Sequence, residues 1–192
     1  MKGLYAAAIQ DLAAKRTLAY SIKTSLLSVD VISKSPGLER KIMSGGIEII
    51  TDENQGKSLI LFHKEKVYLW ESSKGALNGL DNLDVFENFP DQADQELGRR
   101  MIDGRAVEGF RVVKGKSDRQ AQTDVWVDPV SRQLVMVDRD VIIEGITSHI
   151  LEIRNIRINE SLDDSLFDLI PPADYKLTTG KLGIFGLIAP EK

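Results

Sequence analysis

Two histidines, two carboxylate groups and two Gly-Lys-Ser tripeptides are where this chain could carry chemistry. The tripeptides, Gly56-Lys57-Ser58 and Gly115-Lys116-Ser117, would suit phosphate binding only with a glycine five positions earlier, between a strand and a helix. Those positions hold Thr51 and Phe110, and both tripeptides join strand-like runs, so they read as turns. His63 and His149 fall on separate strand-like runs with no His-x-x-x-His or Glu-x-x-His partner. A zinc site needs three or four matched ligands, so no metal is expected. Asp138 and Asp140 read as an acidic patch on a rim. Asp163, Asp164 and Asp168 flank Leu166 and Phe167 as charge at a helix entry. There is no Gly-x-Ser-x-Gly elbow to expose a nucleophilic serine. With no cysteine, disulfides, thiolate metal sites and cysteine nucleophiles are excluded. The expectation is a protein that is no enzyme and needs no cofactor.

Composition agrees with a binding role. The 192 residues suffice for one domain, which would bury about 70% of its unfolded surface. A net charge of −4 argues against a nucleic-acid partner, which needs a concentrated basic face. No apolar run reaches the length of a spanning helix. Leu4 to Ala8 is too short for the apolar region of a signal peptide. The chain is therefore expected either to be cytosolic or to begin just after an export signal.

The elements that position these residues are mostly strands. Leu4 to Lys15 is alanine-rich, with Leu4, Ala8 and Leu12 at helical spacing. Thr17 to Val29 alternates as one long strand, about 40 Å if straight, which must bend. Ser35-Pro36-Gly37 closes it as a loop. Hairpins follow about Gly45-Gly46 and about Lys64-Glu65. Ser72 to Gln95 is a long loop with a helical stretch near Asn82 to Asn88, stopped by Pro90. Leu97 to Leu134 is a run of tightly connected antiparallel strands. Asp103-Gly104 is its strongest hairpin signal, because a type I′ turn needs two positive φ angles; Asp128-Pro129 marks the next turn. Thr147 to Ile158 is a long last strand whose apolar phase shifts between Ile153 and Ile156, as a bulge would produce. Leu162 to Leu169 is a short helix or turn before Pro171-Pro172. A tail carries Leu182, Ile184, Phe185, Leu187 and Ile188, which must dock.

Tyr20, Phe62, Tyr68, Trp70, Phe110 and Trp126 all fall on these strands. Core packing accounts for any one of them. The alternative is that some line a cavity, because a curled sheet of ten or eleven strands has more inner face than one short helix covers.

The junction Ala14-Lys15-Arg16-Thr17-Leu18-Ala19-Tyr20, the segments from Leu97-Gly98 through Gly104 and Gly109 to Val112, Val125-Trp126-Val127-Asp128-Pro129, and Leu162 to Phe167 before Pro171-Pro172-Ala173-Asp174-Tyr175 form a recognisable set. Together they resemble the lipoprotein-carrier superfamily of LolA/LolB-type half-barrels, with the related RseB-type sensor domains. The likeness runs from Tyr5 to Tyr175, leaving 176–192 as a tail on a single 1–192 domain. It implies a mainly β fold: a curled antiparallel sheet or incomplete barrel of about eleven strands, with an N-terminal helix and short capping helices. It further implies an extracytoplasmic location and a ligand that is a lipid or lipoprotein acyl chain. The alternative it implies is a sensor domain with a protein partner in the envelope, of the anti-sigma kind. The expected apolar lining is Leu18, Tyr20 and Ile22 from the first strand, with Leu59, Leu61, Tyr68, Trp70 and Trp126. Phe86 and Phe89 are the expected lid on the long loop.

Overall fold

The computed structural model describes residues 2–74, 86, 89–116 and 118–179. One helix, α1 (Lys2–Ala13), precedes twelve strands: β1 (Thr17–Lys23), β2 (Ser28–Lys34), β3 (Leu38–Met43), β4 (Ile47–Asp52), β5 (Lys57–Phe62), β6 (Val67–Ser72), β7 (Gln95–Ile102), β8 (Arg105–Lys116), β9 (Arg119–Val127), β10 (Leu134–Ile143), β11 (Ile146–Ile158) and β12 (Lys176–Leu177). They are hydrogen-bonded in the order β12-β6-β5-β4-β3-β2-β1-β11-β10-β9-β8-β7, so the sheet is not closed into a barrel. The mainly antiparallel β reading is borne out, and the added twelfth strand runs parallel to β6. One turn of 3-10 helix, Asp164–Phe167, stands for the expected Leu162 to Leu169 element. Of the helical stretch expected near Asn82 to Asn88, only Phe86 is among the described residues, and the apolar tail from Leu182 lies outside them.

The expected single strand from Thr17 to Val29 is instead β1 and β2. Thr24 breaks it: its backbone N–H donates to Leu27 O, and its hydroxyl oxygen accepts the N–H groups of Leu26 and Leu27. This local bonding competes with a strand ladder. Leu26, read as part of the apolar alternation, is 83% exposed at the turn.

The chain divides into two compact units. The first holds Met1–Lys15, Ala19–Ser28 and Phe86–Asn159. In it α1 buries Tyr5, Ala8 and Leu12, a stripe at i, i+3 and i+7. Leu4, expected on that stripe, is only partly buried. Phe110, Val125, Val137 and Ile153 face one another in a single register row across β8 to β11, and all are buried. The Tyr5 ring meets Phe110 at 5.6 Å between centroids. Asp103 and Gly104 both have positive φ (48° and 78°), the type I′ geometry that Asp-Gly predicts between β7 and β8. At the β9–β10 turn, Asp128 Oδ1 accepts the N–H of Val130 at 2.8 Å and of Ser131 at 3.3 Å. Two irregularities reset β11. Its pairing with β10 slips between Arg139 and Asp140, and Asn155 adopts φ +56°, which produces the phase shift between Ile153 and Ile156.

The second unit holds Arg16–Leu18, Val29–Val85 and Glu160–Lys192. Strands β2 to β6 form a meander in tight register. Ile49, Ile60, Phe62 and Leu69 cluster on one face, with Met43, Ile47 and Val67 around them. Because β5 carries Leu59-Ile60-Leu61-Phe62, it is buried on both faces. The 3-10 turn packs against β3 and β4 and buries Phe167. Asp163 caps it by accepting the Ser165 N–H at 2.9 Å.

Candidate functional site

Period-two alternation gives the first unit a second, polar face. Arg111, Asp124, Asp138 and Glu152 form one register row across β8 to β11, directly adjoining the apolar row. Arg111 grips Asp124 with two parallel bonds, Nε to Oδ1 at 2.6 Å and Nη2 to Oδ2 at 2.7 Å. Arg154 spans Glu152 (2.7 Å) and Asp103 (3.3 Å). His149 Nδ1 stands 2.9 Å from Asp140 Oδ1. Asp138 sits between Asp124 and Glu152, its cross-strand neighbours, with Arg100 Nη2 at 3.5 Å. Burial first, and then the Glu152 charge, push the Asp138 carboxyl above the usual carboxylate range, with Arg100 opposing.

All of these groups except Arg111 line a cleft of about 530 Å³, completed by Met101, Ile102 and Met136. Five carboxylates stand there against two guanidiniums, those of Arg100 and Arg154. Such a surface complements a cationic segment. His149 shares the cleft with the carboxylates, but among the described residues no serine, threonine, cysteine or lysine lies on its lining. Among the described residues no group of three or more His, Asp or Glu could hold a metal ion.

Beneath the cleft, Trp126 faces Gly109 in register, and the Arg100 guanidinium carbon stands 3.6 Å from its ring centroid. Trp126 was expected to line an apolar cavity. It is buried with Ile102, Val107 and Met136 on this polar-face side.

The other expected lining residues fall in both units. In the first, Ile22 is 2% exposed, and Tyr20 meets Phe86 edge-on at 4.9 Å between centroids. Phe86, expected on a lid, is buried, whereas Phe89 is partly buried. In the second, Leu18, Leu59 and Leu61 are buried. Trp70 pairs in register with Leu59, and Tyr68 with Leu61. Trp70 is 42% exposed and meets Tyr68 at 6.4 Å.

His63 belongs to a different network in the second unit. Its Nε2 is 2.8 Å from Glu48 Oε2 and its Nδ1 is 2.6 Å from the Tyr175 hydroxyl. Glu48 is buried, with Arg40 Nε 2.8 Å from its other oxygen, an ion pair outside hydrogen-bond geometry. This ties the C-terminal segment to the meander, a holding role.

The polar row could not be read from the sequence. Asp138 and Asp140 were legible as an acidic patch, but register alone sets Asp138 opposite Asp124 and Glu152.

No family model matches the chain, and no curated protein matches it. Among solved structures it is similar to MucB in complex with MucA(peri), with TM-score 0.46 and 10% identity, over 92% of this chain and 61% of that one. The chain thus spans about three fifths of the MucB structure. It is also similar to a putative outer membrane lipoprotein-sorting protein domain from Vibrio parahaemolyticus, with TM-score 0.31 and 11% identity, over 86% of this chain and 95% of that one. At such identities the likeness is one of fold.

Proposed function

We propose that this chain is a non-enzymatic binding module of the bacterial cell envelope that takes a protein partner on the polar face of its first unit. One observation carries the reading: the acidic cleft adjoins the strand that stands at the edge of the sheet among the described residues. Strand β7 stands last in the sheet order and supplies Arg100, Met101 and Ile102 to the cleft. Its outer N–H and C=O groups can receive an extended segment, while the carboxylates select basic side chains on it. An extracytoplasmic location goes with this reading and rests on the resemblance of the sequence motifs. The test compares proteins recovered from envelope extracts by the wild type and by the Asp138→Asn/Glu152→Gln variant. A partner bound equally by both removes the cleft from the account.

A second reading, a lipid or lipoprotein acyl chain as ligand, is favoured by the partly exposed Trp70 beside Tyr68 and by the Tyr20–Phe86 pair. It expects lipid to co-purify in native mass spectrometry. It also expects Trp70→Ala and Phe86→Ala to weaken binding of a fluorescent fatty acid.

A further inference from the structure

The strands that carry the acidic cleft hold the opposite charge on their other face. That face begins with the apolar row of Phe110, Val125, Val137 and Ile153, on which Tyr5 of α1 rests. Two residues further along each strand the alternation returns to it. The next row there is Val112, Thr123, Arg139 and Leu151. Then come Lys114, Ala121, Val141 and Ser148, and last Lys116, Arg119, Ile143 and Ile146. These three rows hold four cations and not one carboxylate. Asp124, Asp138, Asp140 and Glu152 take the intervening positions, on the cleft side.

Two features of this end of the face define its complement. The first is charge. Arg139 is half-buried and donates through Nε to Thr123 Oγ1 at 3.3 Å. Burial alone pulls its guanidinium below the usual range, with no carboxylate opposing. A guanidinium drawn out of water without a counter-charge is costly, and an arriving anion relieves that cost. The turns at this end add Asp118 and Glu144, so the four cations still outnumber the carboxylates, in a chain whose net charge is −4. The second feature is apolar. Ile143 and Ile146 are direct cross-strand partners at the tip of the β10–β11 hairpin, 46% and 71% exposed. A soluble anion would leave the isoleucines uncovered, and an apolar protein surface would leave the cations unmatched. A bilayer of anionic lipid offers phosphates and an acyl boundary together.

We propose that this end of the face docks on an anionic phospholipid bilayer. Ile143 and Ile146 enter the headgroup boundary, and Lys114, Lys116, Arg119 and Arg139 meet the phosphates. The inference goes beyond the function proposed above. The cleft lies on the opposite side of the same strands, so either can fail without the other.

The test sediments the whole chain with large vesicles of equimolar phosphatidylglycerol and phosphatidylcholine, and with phosphatidylcholine alone. The expected result is saturable binding to the mixed vesicles at low salt. It should be at least about tenfold weaker with phosphatidylcholine alone, and again in about 0.5 M NaCl, where screening is strong. Lys116→Gln/Arg119→Gln should weaken binding about tenfold or more, and Ile143→Ser/Ile146→Ser likewise. All four positions are exposed, so both variants should keep the circular dichroism of the wild type. Lys57→Gln/Lys64→Gln removes the same charge from exposed positions in the second unit and should shift binding less than about twofold. No binding to the mixed vesicles, equal binding to phosphatidylcholine alone, no effect of either face variant, or an equal effect of the control pair would each overturn the proposal. So would a wild-type dimer in analytical ultracentrifugation that the isoleucine variant dissolves, without vesicle binding. That result would give the face to a second copy of the chain.

Discussion

Gly109 is the floor on which the Trp126 indole rests. A Cβ built at Gly109 would stand 2.4 Å from Cζ3 and 2.7 Å from Cη2 of that ring. The two residues are direct cross-strand partners on β8 and β9, so the bare glycine lets the largest side chain lie flat on the sheet. Arg100, one of the two guanidiniums of the cleft, is then stacked on the indole. Gly109→Ala should therefore disturb the cleft as well as the core. We expect a loss of about 1–3 kcal/mol in urea unfolding, the cost of overpacking, with a change in Trp fluorescence in the folded state. An unchanged midpoint and spectrum would show that the indole does not rest there.

Asp138 gives a pH prediction. Its carboxyl is raised above the ordinary range, so the folded state binds its proton more tightly than the unfolded chain does. Its contribution to stability is full below the ordinary carboxylate range and is lost as pH rises through the raised value. Asp138→Asn, which keeps the shape without the charge, should match or exceed the wild type by up to about 1 kcal/mol at pH 7. The gain should vanish on acidification below about pH 4. Melting curves across pH 3.5–7.5 check this. A variant less stable at pH 7 would mean that the Arg100 pair outweighs the burial of the charge.

Much of the first unit was legible because its turns are chemically specific. Asp103-Gly104 demanded a type I′ turn, and Asp128 before Pro129 a side-chain-capped one, and both formed. Thr17 to Val29 was misread because Leu26 keeps the apolar spacing while Thr24 folds the chain back, a choice made by hydrogen bonds that apolar period does not record. Leu59-Ile60-Leu61-Phe62 gave no inward face, and the structure shows why: both faces of β5 are buried. The polar cleft stayed hidden since its members are spread from Arg100 to Arg154, and only the strand register brings them together.

Tyr5 gives a second titration. Its folded value of about 12 lies above the ordinary 10, so its stabilising contribution is complete below pH 10 and lost as pH rises through about 12. In an alkaline absorbance titration one phenol should ionise late, near pH 12, and Tyr5→Phe should remove that step. If the late step survives in the variant, the buried hydroxyl belongs to another tyrosine.

A core truncation calibrates the second unit. Ile60 is fully buried in the meander cluster, so Ile60→Ala should cost about 2–5 kcal/mol in urea unfolding. A loss below about 1 kcal/mol would mean that β5 is not held on both faces.

The partner-binding face is tested most directly by a photo-crosslinking amino acid at Met101, which is 64% exposed on β7 and lines the cleft. Val130, 91% exposed on the β9–β10 turn, is the control position. In cells expressing the chain, the account predicts one protein adduct from position 101 and none from 130. The adduct should fall about fivefold or more when Asp138→Asn and Glu152→Gln are added with the fold retained by circular dichroism. No adduct at 101, or one that persists undiminished after both carboxylates are neutralised, would contradict it.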